Sequence, residues 1–171
     1  AFFTGTIASL LDVMSSASEY NGDPEIAKKL AAYHAFVNAK ENAGQERALS
    51  VPVFVSNKVE PAQFRNILGK IYKQEAYLDS FTDSASTNEK AALQAVLDTD
   101  ASKEVQRMRN IMAERYIQGG FDVNSAAWFK ASTDRINGLY EVEQLITQDI
   151  NTEVNHQLSA SRTQMMFRMT V

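Results

Sequence analysis

Residues 39–50 read AKENAGQERALS, and they set a Glu46-Arg47 pair inside a segment that has the spacing of a buried helix. Counting from Leu30 in alternating steps of three and four residues gives a mostly apolar stripe, as in an amphipathic helix. The stripe consists of Leu30, Tyr33, Val37, Lys40, Gly44, Arg47, Val51 and Phe54. Burying the Arg47 guanidinium is unfavourable by several kcal/mol unless an anion faces it. The segment therefore predicts an inward-facing arginine that needs an anionic partner, which is either a side chain or a ligand.

The composition favours one all-helical domain. The chain has 171 residues, of which 44% are hydrophobic, and this suffices for one packed core but not comfortably for two. It contains 7 glycines and 3 prolines, while residues common in long helices recur throughout. We therefore expect residues 1–171 to form a single helical domain whose core bundle spans about residues 24–160.

Several functional classes are disfavoured by the residues present. A formal net charge of −4 leaves no broad basic face for nucleic acid. The chain has no cysteine, so disulfides and thiolate metal sites are excluded. His34 and His156 lack the neighbours of a metal site, and neither a catalytic serine grouping nor a phosphate-binding glycine loop is present. We expect no enzymatic activity, no cofactor and no bound metal.

Turn and cap signals divide the chain into five predicted helices. The first covers residues 4–20 and ends at the Asn21-Gly22-Asp23-Pro24 break. The second runs from there towards Lys58, with an expected kink at Pro52 because proline cannot donate a helical hydrogen bond. The third follows the corner at Pro61.

The last two predicted helices lie on either side of Gly119-Gly120. The fourth covers residues 88–118, with an expected dent at residues 98–102. The fifth begins after the cap at residues 122–125 and is about 45 residues long. The predicted fold is all-α: an elongated up-and-down four-helix bundle with the first helix as a lower extension of the second. The amphipathic ends of the chain suggest flanking transmembrane helices, with both termini at one end of the bundle.

Two arginines are expected at the same level of this bundle. Counting down from the end shared by the second and fifth helices puts Arg47 and Arg135 both about 15 Å below it. Both lie on inward stripes, so their guanidinium groups are expected to converge. Gly44 leaves space one turn away, and Glu46, Ser50 and Ser132 are the other expected neighbours of the site.

Two explanations of these arginines remain open from their spacing alone. Two converging guanidinium groups repel unless an anion lies between them, and a small planar oxyanion matches their paired N–H groups. Alternatively, Arg47 forms an ordinary salt bridge with one of three carboxylates, and Arg135 pairs with Asp134 or with a carbonyl group at a helix end. Those three are Glu46, Glu75 and Glu143.

The sequence also resembles a known sensor family. Residues 40–48 read KENAGQERA, and they resemble the Glu-Arg element of the nitrate- and nitrite-sensing (NIT) domain of bacterial chemoreceptors, sensor kinases and antitermination regulators. Further matching residues are Phe54, Gln74, Tyr77, Leu78, Phe81, Ala127, Trp128, Phe129, Thr133, Asp134, Arg135, Ile136 and Leu139. The resemblance implies a helical bundle that binds nitrate or nitrite through arginines. Arg47 matches the arginine of the Glu-Arg element, and Arg135 fits the second arginine. Ala48 replaces the glycine that many members have there.

Together these observations predict the periplasmic sensor domain of a bacterial membrane receptor, most simply a chemoreceptor, with a cytoplasmic location as the alternative. Nitrate or nitrite would draw the long helices together and displace the last helix towards the membrane, and the full receptor would be a homodimer. Contact with the membrane is expected through flanking helices alone. Two other functions stay open: a receptor domain for an organic acid or amino acid, and a bundle that binds no small ligand.

Overall fold

A computed structural model of the chain describes the backbone of residues 24–168 and the side chains of residues 24–157 and 159. This part consists of five α-helices and contains no β-strand. They are α1 (Pro24–Ser56), α2 (Pro61–Ser84), α3 (Thr87–Leu97), α4 (Asp100–Arg115) and α5 (Ser125–Arg168). The all-α prediction is confirmed. The predicted N-terminal helix at residues 4–20, with its position as a lower extension, lies outside the described residues.

The helix boundaries follow local sequence signals. Helix α1 begins at Pro24 and continues through Pro52 to Ser56. Helix α2 starts with Pro61 behind a reciprocal cap between Glu60 and Gln63. The dent predicted at residues 98–102 is a complete break between α3 and α4. There the Thr99 hydroxyl accepts a hydrogen bond from the first turn of α4, and it caps that helix.

The link between α4 and α5 requires its two glycines. Gly119 and Gly120 have φ angles of 70° and 71°, in the left-handed region that favours glycine. A Cβ atom on Gly119 would lie 2.9 Å from the Asn57 carbonyl oxygen, and that oxygen accepts a hydrogen bond from the Gly120 N–H. A backbone hydrogen bond therefore joins the link to the end of α1. The Asn124 side chain then accepts hydrogen bonds from the first turn of α5, a helix of 44 residues.

Neighbouring helices run antiparallel. Phe36 of α1 packs against Phe81 near the end of α2, whereas Phe54 of α1 shares a cluster with Ile67 of α2. Phe54 also packs on Trp128 at the start of α5, with ring centroids 5.2 Å apart. The bundle has four long helical segments, which we call legs: α1, α2, α3 together with α4, and α5. Both α3 and α4 contact α5. The described residues thus form an up-and-down bundle with four legs.

The apolar interior is divided into two clusters along the bundle. The lower cluster contains Phe36, Phe81, Leu93 and Ile146, and the upper cluster contains Trp128 with residues from all four legs. Among the described helices, none combines the length and apolar composition needed to cross a bilayer. The two clusters leave a level between them that is occupied by buried polar side chains.

Candidate anion-binding site

A layer of buried polar residues lies between the two apolar clusters. We call this the polar layer, and its six residues come from four helices. They are Glu46 and Ser50 of α1, Gln74 of α2, Arg109 of α4, and Ser132 and Arg135 of α5. Buried polar and charged groups are unfavourable unless they are paired, so each residue in this layer calls for a partner.

Glu46 is fully paired inside the polar layer. Its side chain is 2% exposed, and Arg109 binds it through two parallel hydrogen bonds of 2.7 Å and 2.5 Å. The Gln74 amide nitrogen donates a further hydrogen bond of 2.7 Å to the same carboxylate. In all three contacts Glu46 is the hydrogen-bond acceptor, and the two bonds from Arg109 form a bidentate pair. Glu46 therefore neutralises the charge of Arg109.

Arg135 is a buried cation with much weaker pairing. It is 6% exposed, and one of its guanidinium nitrogens donates a 3.0 Å hydrogen bond to the Gln74 carbonyl oxygen. Within residues 24–157 it forms no salt bridge. Burial lowers the pKa of Arg135 to about 10; the nearby Arg109 charge also lowers this pKa, and Glu46 raises it. Arg135 stays charged at neutral pH while most of its five N–H donors lack a protein acceptor.

Two hydroxyl groups in the same layer also lack partners. The Oγ atoms of Ser50 and Ser132 are buried, and neither forms a hydrogen bond with the described residues. Ser50 lies one turn beyond Glu46 on α1, and Ser132 lies one turn before Arg135 on α5. An unsatisfied buried hydroxyl group is unfavourable by about 1–3 kcal/mol. The layer thus offers two hydroxyl donors and a guanidinium group for a further binding partner.

Arg47 does not point into the polar layer. Its guanidinium group donates a 2.8 Å hydrogen bond to the Thr133 hydroxyl and lies 4.8 Å from the centre of the Phe129 ring. In this structure Arg47 and Arg135 share no hydrogen-bond partner, so their convergence on a ligand stays a prediction. Successive helix residues are about 100° apart, so Glu46 and Arg47 cannot both face one line. Glu46 takes the inward position, and Arg47 lies half-buried at the rim between α1 and α5.

The two arginines nevertheless lie at nearly the same height in the bundle. Thr133, which Arg47 contacts, precedes Arg135 by two residues on α5. The space expected at Gly44 is also present, because a Cβ atom built there would have no neighbouring atom within 4 Å. Open volume therefore lies one turn below Arg47. Whether Arg47 and Arg135 bind a ligand together stays a prediction.

A second buried charge pair joins α1 and α5 below this level. Lys40 forms a salt bridge with Glu143, which also accepts a 3.1 Å hydrogen bond from the Tyr33 hydroxyl group. Burial, followed by the Glu143 charge, raises the pKa of Tyr33 to about 12. Glu143 is thus already paired, and the predicted alternative of an Arg47-Glu143 salt bridge is wrong. Arg47 forms no salt bridge with Glu46 or Glu75 in the described conformation either.

The spacing of the sequence did not reveal Arg109 as part of the site. It follows Val105 by four residues and precedes Met112 by three, so it borders the apolar stripe of its helix. A charged residue at the border of an apolar stripe is the sequence signal from which Arg109 could have been predicted. Gln74, by contrast, is among the residues by which the sequence resembles the NIT domain. In the described part of the chain, no group of three metal-binding side chains is present.

Comparisons with known proteins identify the family of this chain. A family model described as nitrate and nitrite sensing matches residues 1–151. The nitrate regulatory protein of Klebsiella oxytoca is 28% identical over 148 residues, which are 86% of this chain and 37% of that protein. The chain therefore spans little more than a third of the curated relative it matches, and no solved structure gives a significant match. Because the family model covers most of its length, the chain belongs to the nitrate and nitrite sensing (NIT) family.

Proposed function

We propose that this domain binds nitrate or nitrite between α1 and α5, with Arg135 and Arg47 as the two cationic ligands. The observation that supports the proposal is the buried Arg135 guanidinium group, which has one hydrogen bond and lies in a layer with two unpartnered hydroxyl groups. A planar oxyanion supplies acceptors for these donors and a charge opposite to that of Arg135.

Arg47 would join the ligand by a change of side-chain conformation. Its contacts with Thr133 and Phe129 are one hydrogen bond to a neutral hydroxyl group and one cation–π contact, each weaker than a hydrogen-bonded ion pair with an anion. Gly44 leaves open volume one turn away, so the space beside α1 is not filled by a side chain. Nitrate offers three oxygen acceptors and nitrite offers two, so nitrate can satisfy more of the donors.

The pairing of the carboxylates argues against an amino acid as the ligand. An amino acid needs a carboxylate to bind its ammonium group. The buried carboxylates of Glu46 and Glu143 are already occupied by Arg109 and Lys40. A bundle without a ligand is the other alternative, and it would leave Arg135 and two buried hydroxyl groups poorly satisfied.

Anion binding would be transmitted by a small movement of α5 relative to α1. The two proposed arginine ligands belong to these two helices, so an anion held by both favours the arrangement that brings them closer. A ligand shifts a conformational equilibrium only by its difference in affinity for the two states. Helix shifts of about 1–2 Å are typical of such transitions.

For the longer protein, we propose a membrane receptor, most simply a chemoreceptor, with this domain in the periplasm and paired as a homodimer. Support comes from the resemblance of residues 40–48 to domains of such receptors. The name of the similar nitrate regulatory protein supports a signalling role, but it gives no support to a periplasmic location. Cell fractionation of the full-length protein tests the location: recovery in the soluble cytoplasmic fraction contradicts the proposal. Sedimentation of the purified full-length protein tests the homodimer.

Calorimetric titration of the domain with nitrate, nitrite, chloride and sulfate tests the binding proposal. We expect saturable binding of nitrate or nitrite that falls by about tenfold or more in Arg47→Gln and Arg135→Gln, since each loses a charge-assisted contact. Arg107→Gln is the matched control, because Arg107 is exposed and pairs with Glu104 on the same helix. Equal affinities in all four proteins would reject the two-arginine site, and absence of nitrate and nitrite binding in folded wild-type protein would reject the function.

A further inference from the structure

The charges of the polar layer do not cancel. Arg109 and Arg135 each carry one positive charge, and Glu46 carries one negative charge, so the layer has a net charge of +1. The Glu46 carboxylate accepts three hydrogen bonds, two from Arg109 and one from Gln74. Gln74 connects the groups, because its amide nitrogen donates to Glu46 and its carbonyl oxygen accepts from both arginines.

We propose that Glu46 is a specificity-determining residue that makes this site favour monovalent over divalent anions. Its carboxylate neutralises Arg109 and leaves a single uncompensated positive charge, that of Arg135, for the ligand. A monovalent anion brings the layer to zero net charge. A divalent anion would leave one negative charge that the layer does not compensate and that would depend on Arg47 alone, so Glu46 lowers the affinity for a divalent anion more than that for a monovalent one. This inference rests on the binding of nitrate or nitrite proposed above.

Arg47, the second proposed ligand, adds one positive charge to the site in the wild type and in every variant, so it does not alter a comparison between them. It lies at the half-buried rim, where solvent screens its charge better than in the layer, and it is unchanged in every variant below. The hydration of each anion is likewise the same for all variants. A change in the ratio of sulfate affinity to nitrate affinity therefore reports the charge of the protein layer.

Three variants set the charge of the layer to different values. Glu46→Gln removes the carboxylate and raises the net charge to +2. Combining Glu46→Gln with Arg109→Gln returns the net charge to +1 by a different pair of residues. Arg109→Gln alone gives zero and leaves the Glu46 carboxylate facing Arg135, so that Glu46 replaces the ligand as the partner of Arg135.

Calorimetric titration with sodium nitrate and sodium sulfate at constant ionic strength tests the proposal, with circular dichroism to verify folding. In Glu46→Gln we expect the ratio of sulfate affinity to nitrate affinity to rise about tenfold or more. The double variant should return this ratio to within about threefold of the wild-type value. Arg109→Gln should lower nitrate affinity about tenfold or more.

The outcomes separate this inference from the proposed function. An unchanged affinity ratio in folded Glu46→Gln that still binds nitrate would overturn the role of Glu46 and leave nitrate sensing intact. If Glu46→Gln does not fold, unchanged nitrate affinity in Arg109→Gln overturns the role instead. Wild-type protein that binds neither nitrate nor nitrite would overturn the proposed function, and the inference with it.

Discussion

At the scale of single residues, Arg135 shows how a binding site differs from a stabilising interaction. Glu46 and Arg109 satisfy each other, whereas Arg135 contributes a buried charge with one hydrogen bond to a neutral acceptor. Its pKa is lowered to about 10, which means that the folded protein holds the charged form less favourably than the unfolded chain does. At neutral pH both states are protonated, so this unfavourable contribution is present in full. It diminishes when the pH rises above about 10 and Arg135 loses its proton in the folded state.

Replacing Arg135 by methionine should therefore stabilise the ligand-free protein. The change removes the buried charge, and the Gln74 carbonyl oxygen keeps its hydrogen bond from Arg109. We expect the free energy of unfolding to rise by about 1–3 kcal/mol and nitrate binding to be lost. Thermal unfolding at pH 7 without added anions measures the first effect, with Arg107→Met as an exposed control. A lower melting temperature for Arg135→Met than for wild type would show that Arg135 already has a stabilising partner.

At the scale of helices, the sequence pattern predicted the ends of the helices better than it predicted which side of each helix is buried. The caps at residues 122–125 and the break near Asp98 followed from side chains close in sequence. The inward line through Arg47 did not hold, because α1 is buried on several sides and includes Glu46 and Ser50 among its most buried residues. A helix with contacts on several sides has no single inward stripe, so counting steps of three and four residues cannot choose between adjacent positions.

Glycines in two helices provide a matched test of the space beside α1. A Cβ atom at Gly44 in α1 or at Gly69 in α2 would meet no atom within 4 Å. Alanine at either position should therefore raise the free energy of unfolding by about 0.5–1 kcal/mol, the difference in helix propensity. Only Gly44→Ala should weaken nitrate binding, since Gly44 lies one turn from Arg47. Thermal unfolding and calorimetry of both variants measure the two effects. Equal nitrate affinity in Gly44→Ala and Gly69→Ala would show that the ligand does not use this space.

At the scale of the whole molecule, the number of legs and the 44-residue length of α5 followed closely from the sequence. The polar layer did not, since it depends on contacts between distant parts of the chain. Arg109 is 63 residues from Glu46, and Gln74 is 61 residues from Arg135. Local periodicity contains no information about such pairs. The helical stripe and the family resemblance both single out the Glu46-Arg47 pair as a candidate, and the structure shows that its two residues have different partners.

The proposed signal is a movement of α5 relative to α1, and it predicts a distance change between these helices alone. The chain has no cysteine, so spin labels can be attached at introduced cysteines without background. Glu41 of α1, Glu141 of α5 and Glu75 of α2 are exposed. Saturating nitrate should shift the distance between labels at Glu41→Cys and Glu141→Cys by about 1–2 Å. The control pair, Glu41→Cys with Glu75→Cys, should not change. If nitrate binds and both distances stay the same, the anion stabilises one existing arrangement and the proposed helix displacement is wrong.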